Sequence, residues 1–243
     1  MKIVIDGNIG SGKSTLMNNL ENYYNISNEH VLLDILGTKN HSGTINSIEI
    51  TQEPVSLWKP YLDNFYSDMR NNCLSLQMKI LKHHLSVPHG KSGDKLDISI
   101  TERSTISCID IFGKNSLNNG FMTNLDIDLM KDYDNTFAVY PELIVYIYTT
   151  PNECLRRINT RNRSSENLIS IEYLKDIDAL YKEKYNSSNN DFHLIRDIDM
   201  YHYKKTNNIN YCVINGDVSI EEIFNNTKQF INIYLRKSIY SSL

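Results

Sequence analysis

Gly7-Asn8-Ile9-Gly10-Ser11-Gly12-Lys13-Ser14-Thr15 decides the fold. The apolar run Ile3-Val4-Ile5 leads into it, and Leu16, Met17, Leu20 and Tyr24 follow at helical spacing. Every position of the pattern G-x-x-x-x-G-K-[ST] is filled, in the order strand, turn, helix that the pattern requires. Glycines leave the backbone bare, so N–H groups can converge on an anion. The helix that starts there adds the positive end of its dipole and its unpaired N–H groups. Lys13 contributes a flexible cation for the β- and γ-phosphates, and Ser14 a hard oxygen for Mg²⁺. Such a phosphate cradle, the P-loop, serves switches, motors and kinases alike, so the choice among them falls to the rest of the chain.

The 243 residues fit a single α/β domain over 1–243 with room for a proper core. The net charge is −4 and no long basic run is visible, which argues against a nucleic-acid partner. Cys73, Cys108, Cys154 and Cys212 are scattered without a CxxC pair, as expected of reduced thiols in a cytoplasmic protein. A strand that feeds the P-loop cannot also be a cleavable leader, and no apolar run reaches membrane-spanning length. The expectation is an intracellular protein with no membrane partner.

Beyond the first helix, Asn25–Asn46 reads as a polar connection with one short strand at Val31–Leu36. Ser47–Thr51 alternates as a strand and stops at Pro54, which sets Glu53 at a strand exit. Lys59–Val87 keeps helical spacing over one helix or two, and Pro88–Asp94 is rich in turn residues. Leu96–Ile100 reads as a strand that delivers Glu102-Arg103-Ser104 at its end. A helix through Ile106, Ile109 and Phe112 follows, then an amphipathic segment at Leu125–Phe137. Leu143–Tyr148 is the clearest strand, and Pro151 suits the first turn of the next helix. That helix runs into Arg156-Arg157-Ile158-Asn159-Thr160-Arg161-Asn162-Arg163, the densest cationic cluster. Ile171–Tyr185 is helical, Asn186–Asn208 polar, Asn210–Ile214 a last strand and Ile220–Leu235 a closing helix. The alternation predicts an α/β fold, a parallel sheet of about five strands with helices on both faces.

Five stretches in this order resemble the deoxynucleoside kinase family: the P-loop, Glu53-Pro54-Val55 with Trp58, Phe65-Tyr66 with Gln77, Glu102-Arg103-Ser104, and the Arg-rich stretch ending in Glu166. The resemblance runs from Met1 to about Tyr185. It implies a P-loop kinase fold with a lid over about 157–170, ATP as phosphate donor with Mg²⁺, and a homodimer packed through helices. By the same resemblance Glu53 is the base for the nucleoside 5′-hydroxyl, a chemistry that a carboxylate within hydrogen-bond reach suits. Arg103 then stands near the transferred phosphate and Glu102 helps Ser14 hold Mg²⁺. Tyr66 and Glu166 take the sugar 3′-hydroxyl, Gln77 the base edge, and Trp58, Leu62, Leu76 and Phe112 the faces of the ring. Arg157, Arg161 and Arg163 close over the phosphoryl groups, with planar forks suited to that task. Asn215–Val218 is the expected surround of the adenine.

Two departures bear on the acceptor. Deoxycytidine-type members carry an Arg and an Asp where this sequence has His84 and Cys108. A small Cys108 leaves space for the methyl group at C5 of thymine, so thymidine is the expected substrate, with deoxycytidine accepted through a flip of Gln77. His84 is placed to hydrogen-bond the base or Gln77. A thymidylate kinase and a non-catalytic kinase-like subunit are the rival readings. The Glu53–Trp58 motif argues against the first, and the presence of Lys13, Glu53 and the lid arginines against the second.

Overall fold

The computed structural model of the chain describes residues 1–25, 35, 45–87, 96–163, 166, 168–186, 204–206 and 209–240. The strands are β1 (Lys2–Gly7), β2 (Ile45–Thr51), β3 (Leu96–Glu102), β4 (Leu143–Tyr148), β5 (Lys204–Thr206) and β6 (Ile209–Asn215). The helices are α1 (Lys13–Asn25), α2 (Val55–Ser67), α3 (Met69–Ser86), α4, α5 (Asn124–Phe137), α6 (Pro151–Arg161), α7 (Ile171–Asn186) and α8 (Ile220–Tyr240). Here α4 joins three consecutive pieces, Thr105–Ser107, Cys108–Gly113 with π-helical spacing, and Lys114–Asn118.

The sheet order is β2-β3-β1-β4-β6-β5. Five strands are parallel, and β5 pairs antiparallel with β6 at the edge. The expected five-stranded parallel sheet is present. The sixth strand lies inside Asn186–Asn208, read from sequence only as a polar segment. The strand expected at Val31–Leu36 lies outside the described residues except for Ile35, which is helical and buried. The loop at Pro88–Asp94, most of Asn186–Asn208 and part of the stretch 157–170 also lie outside them.

Both faces of the sheet are covered, which explains why β1 and β4 read as continuous apolar runs. Ile3, Ile5, Val145, Ile147 and Ile214 face Leu16, Met17 and Leu20 of α1 and Ile223, Ile231 and Leu235 of α8. Val4, Ile144, Tyr146 and Tyr211 face the other way, against Ile106 and Ile111 of α4 and Ile177, Leu180, Tyr181 and Tyr185 of α7. A further cluster joins Phe65 of α2, Cys73, Leu76 and Leu81 of α3, Cys108 and Ile109 of α4, and Ile127 and Met130 of α5. This helical layer stands beside the carboxyl ends of β2 and β3 and walls one side of a crevice. The run expected at Lys59–Val87 is two helices because the chain breaks at Asp68, whose carboxylate caps α3 by accepting from Asn71 N at 3.2 Å.

Candidate active site

Chain direction positions the site. From β1 the chain runs out to β2, returns at β3 and crosses β1 to reach β4, so the reversal of order flanks β1. In open parallel sheets a crevice forms at such a point, outside the carboxyl ends of the strands. Here those ends carry Gly7, Glu53, Glu102 and Arg103.

The turn after β1 has the backbone an anion cradle needs. Gly10 and Gly12 have φ of +80° and +95°. A Cβ at Gly10 would lie 2.5 Å from the Cys154 carbonyl oxygen, so the loop can run against α6 only with glycine there. Asn8 fastens the loop to α7 by donating from Nδ2 to Leu174 O at 2.9 Å. Lys13 Nζ is buried and donates to Gly7 O at 2.9 Å, Asn8 O at 2.6 Å and Ser11 Oγ at 3.2 Å. Burial, aided by the Arg103 charge, pulls its pKa down to about 8. Thr15, the last residue of the motif, is exposed.

Opposite the loop, Ser14 Oγ donates to Glu102 Oε1 at 3.0 Å. Among the described residues no cluster of three or more His, Cys, Asp and Glu side chains could hold a metal by itself. A hydroxyl and a buried carboxylate side by side suit a Mg²⁺ ion that takes its other oxygens from water and phosphate.

Arg103 turns the chain inward. Its φ is +58°, the left-handed region that non-glycine residues enter at a cost of about 1–3 kcal/mol. The turn is held by Arg103 N donating to Ile5 O at 2.9 Å. Its Nη1 meets Glu53 Oε2 at 2.6 Å, its Nη2 donates to Gly7 O at 3.3 Å, and its guanidinium lies 4.8 Å from the centre of the Phe112 ring. Burial alone would push the Glu53 carboxyl up, but Arg103, with His84 and Lys13, brings it down to about 2.

One cleft, enclosing about 940 Å³ including its open mouth, unites most of the residues singled out from sequence. Lys13, Ser14, Glu53, Glu102 and Arg103 occupy its polar end. Trp58, Leu62, Tyr66, Leu76, Gln77, Cys108 and Phe112 line it, with Arg161, Arg163 and Glu166 alongside. The Cys108 thiol, kept protonated by burial, donates to Gln77 Oε1 at 3.5 Å. Tyr66 is held above the usual phenol range by burial and by the Glu166 carboxylate nearby. Glu166 accepts from Arg161 Nη2 at 2.5 Å and pairs with Arg163 Nη1 at 3.5 Å.

Arg157 stands apart from Arg161 and Arg163, against the P-loop itself. It donates to Ser11 O at 3.2 Å, Gly216 O at 2.8 Å and Val218 O at 3.3 Å, with Glu153 Oε1 2.7 Å from its Nε. It thereby ties the cradle to the turn after β6. His84, expected to serve the base or Gln77, lines the same cleft, and its Nε2 is 3.5 Å from Glu53 Oε1. Sequence reasoning also missed Tyr173 and Ile169, which line the cleft from α7 and the turn before it. Helical spacing marked Tyr173 as helical without showing which way it points.

Comparisons with known proteins identify the family. The sequence profile of the deoxynucleoside kinase family matches residues 3–232. A putative kinase protein, 029R, of Invertebrate iridescent virus 3 is 27% identical over 77% of this chain and 84% of its own. Human mitochondrial thymidine kinase 2 is 28% identical over 74% of this chain, which spans only 63% of that protein, and bovine deoxycytidine kinase is 28% identical over 72% of each. The structure of deoxyadenosine kinase from M. mycoides with dCMP and dCDP superposes with a TM-score of 0.67 at 21% identity, covering 96% of this chain and 98% of that one. With a P-loop, a Glu-Arg-Ser strand end and a matching profile over nearly its whole length, the chain belongs to the deoxynucleoside kinase family and is a kinase.

Proposed function

We propose that the protein transfers the γ-phosphoryl group of ATP to the 5′-hydroxyl of a pyrimidine deoxynucleoside, thymidine or deoxycytidine, in nucleotide salvage for DNA precursor synthesis. The observation that carries this reading is Glu53, at the exit of β2 with 4% of its side chain exposed, between the phosphate cradle and a pocket lined by Tyr66, Gln77 and Cys108. Glu53 Oε2 is engaged by Arg103, which leaves Oε1 for the incoming hydroxyl. A carboxylate with a pKa of about 2 is a weak base, so it orients the hydroxyl and accepts its proton late, as a loose phosphoryl-transfer transition state permits. Lys13 and Arg103 flank the transferred group, and a bound polyphosphate opposes the burial that now weakens the Lys13 charge. Mg²⁺ at Ser14 and Glu102 would neutralise charge on the donor phosphates. Arg161 and Arg163 belong to a lid over about 157–170 that closes across them.

In the pocket, Tyr66 and Glu166 take the sugar 3′-hydroxyl. Gln77 meets the base: with the Cys108 thiol on one lone pair, its amide keeps a second acceptor site and two N–H donors. Cys108 adds no charge beside the ring and little bulk, which favours a 5-methyl pyrimidine. The 1–243 chain acts as one kinase domain and pairs with a second copy through the exposed apolar stripe of α5, Leu125, Leu129, Tyr133 and Phe137. Four free, buried cysteines suit a cytoplasmic setting, and among the described residues no helix is long and apolar enough to cross a membrane. With no basic surface run, a polynucleotide partner is not part of this reading.

The test is a panel of the four deoxynucleosides and thymidine monophosphate, each with ATP and Mg²⁺, following acceptor phosphorylation. Thymidine and deoxycytidine are expected to be phosphorylated and the monophosphate left alone. Turnover of purine deoxynucleosides without thymidine would overturn the Cys108 argument, and turnover of the monophosphate would reassign the acceptor.

A further inference from the structure

We propose that His84 is a positioning residue for Glu53, fixing the carboxylate oxygen that faces the acceptor hydroxyl and taking no part in reading the base. This rests on the assignment of Glu53 to the 5′-hydroxyl. His84 stands in the last turn of α3, with only 2% of its side chain exposed. Its ring is set edge-on against Trp58 of α2, 6.4 Å between centres, and against His83, 5.3 Å. These contacts leave the imidazole little freedom, and they hold Nε2 3.5 Å from Glu53 Oε1. That separation is ion-pairing range, and Nε2 makes no hydrogen bond in good geometry.

A buried imidazole nitrogen without a hydrogen bond is costly, and here it lies beside an acceptor-only carboxylate. The two Glu53 oxygens therefore have different neighbours. Oε2 is locked by Arg103 Nη1 at 2.6 Å, and Oε1 has the His84 nitrogen beside it. One contact leaves a carboxylate free to swing about that bond, whereas a second on the other oxygen sets its plane. Catalytic hydrogen bonds often sit long before substrate binds and tighten in the working complex, which fits the 3.5 Å distance. The base edge is served elsewhere: the Gln77 amide oxygen is held by Cys108.

The first arm of the test needs no substrate. The ¹⁵N resonances of the His84 ring, assigned by their loss in His84→Gln, are recorded in the unmodified chain and in Glu53→Gln. The Nε2 signal is expected to shift when the carboxylate is removed, and an unmoved signal overturns the contact. The second arm compares His84→Leu and His84→Gln on each accepted deoxynucleoside. His84→Leu should lower kcat about tenfold, the lower end for a hydrogen bond to a charged group, by the same factor for every base. KM should stay within about twofold, since the interaction lost is not one with substrate. His84→Gln, which keeps an N–H, should recover most of the rate, and this recovery separates positioning from misfolding. A loss confined to one base, or carried wholly by KM, overturns the proposal and makes His84 a base-reading residue. A chain that phosphorylates no deoxynucleoside ends the functional reading instead, and the resonance arm still decides whether His84 engages Glu53.

Discussion

Glu53 and Glu102 share one cleft, yet their acidities move in opposite directions. Burial raises both; at Glu53 the Arg103, His84 and Lys13 charges prevail and bring it to about 2, while at Glu102 burial and the neighbouring Glu53 charge prevail and its pKa rises. A carboxyl whose folded pKa is depressed adds stability that is present above its unfolded value, near 4.5, and lost as pH falls toward about 2. Glu102 has the opposite sign and weakens the fold as pH rises through its raised pKa. Glu53→Gln should therefore cost about 3 kcal/mol at pH 7, the lower end for breaking a buried ion pair, and this deficit should shrink below pH 4.5. Urea denaturation of both proteins at stepped pH measures it, and a deficit independent of pH in that window would remove the Glu53–Arg103 pair as its cause. Lys13 supplies a matching experiment on the alkaline side. Its folded pKa of about 8 lies below the unfolded 10.5, so its penalty is full below pH 8 and relieved as pH climbs to 10.5. The unmodified chain should gain stability over Lys13→Met across that interval, and parallel curves would contradict the burial of a charged Lys13. The gathering of P-loop residues, Glu53, Tyr66 and Gln77 in one cleft was legible in the sequence because they ride on short ordered motifs. The aim of His84, the left-handed turn at Arg103 and the inward face of Tyr173 were not, because each is set by what packs against it.

At the scale of elements, legibility followed burial. The strands β1 and β4 stood out because both of their faces are covered, so β-branched residues run without alternation. β5 was invisible: Lys-Lys-Thr is three polar residues whose strand conformation comes from pairing with β6. The π-helical turn Cys108–Gly113 was likewise hidden, since one extra residue per turn barely changes the apolar spacing; such turns gather at functional sites, and this one carries Cys108 and Phe112 into the cleft. The tie between α7 and β1 was also out of reach, because its partners are 175 residues apart. Tyr181 donates to Asp6 Oδ1 at 2.7 Å, and Tyr185 donates to Asp6 Oδ2 at 3.3 Å. Asp6 is fully buried immediately before the P-loop. Tyr181→Phe removes one of two donors to Asp6 Oδ1, the Gly7 N–H at 2.8 Å remaining, and loss of that hydrogen bond to a charged group should cost about 1.5–3 kcal/mol. Thermal or urea unfolding checks this, and a variant as stable as the parent would mean the hydroxyl does not support Asp6.

For the whole molecule, one helix face stays unexplained by the core. On α5, Ile127 and Met130 turn inward, while Leu125, Leu129, Tyr133 and Phe137 recur every fourth residue on the outside, 79%, 43%, 44% and 59% exposed. Contiguous apolar stripes of this kind mark contact surfaces, whereas scattered apolar residues need no partner. A stripe along one helix is self-complementary across a two-fold axis, since each copy offers the same ridge to the other. The stripe does not line the cleft, so pairing through it leaves the cleft open to solvent. Sedimentation should therefore find the unmodified chain at twice the 28.2 kDa of one protomer. Leu129→Glu combined with Tyr133→Glu should return it to one protomer, because burying two like charges per copy at the centre of the ridge costs more than a modest interface supplies. The core residues behind the ridge are untouched, so circular dichroism should show the same helix content in both forms. A parent chain that sediments as a monomer would leave the stripe to some other partner, and a dimer that survives both substitutions would move the interface off α5.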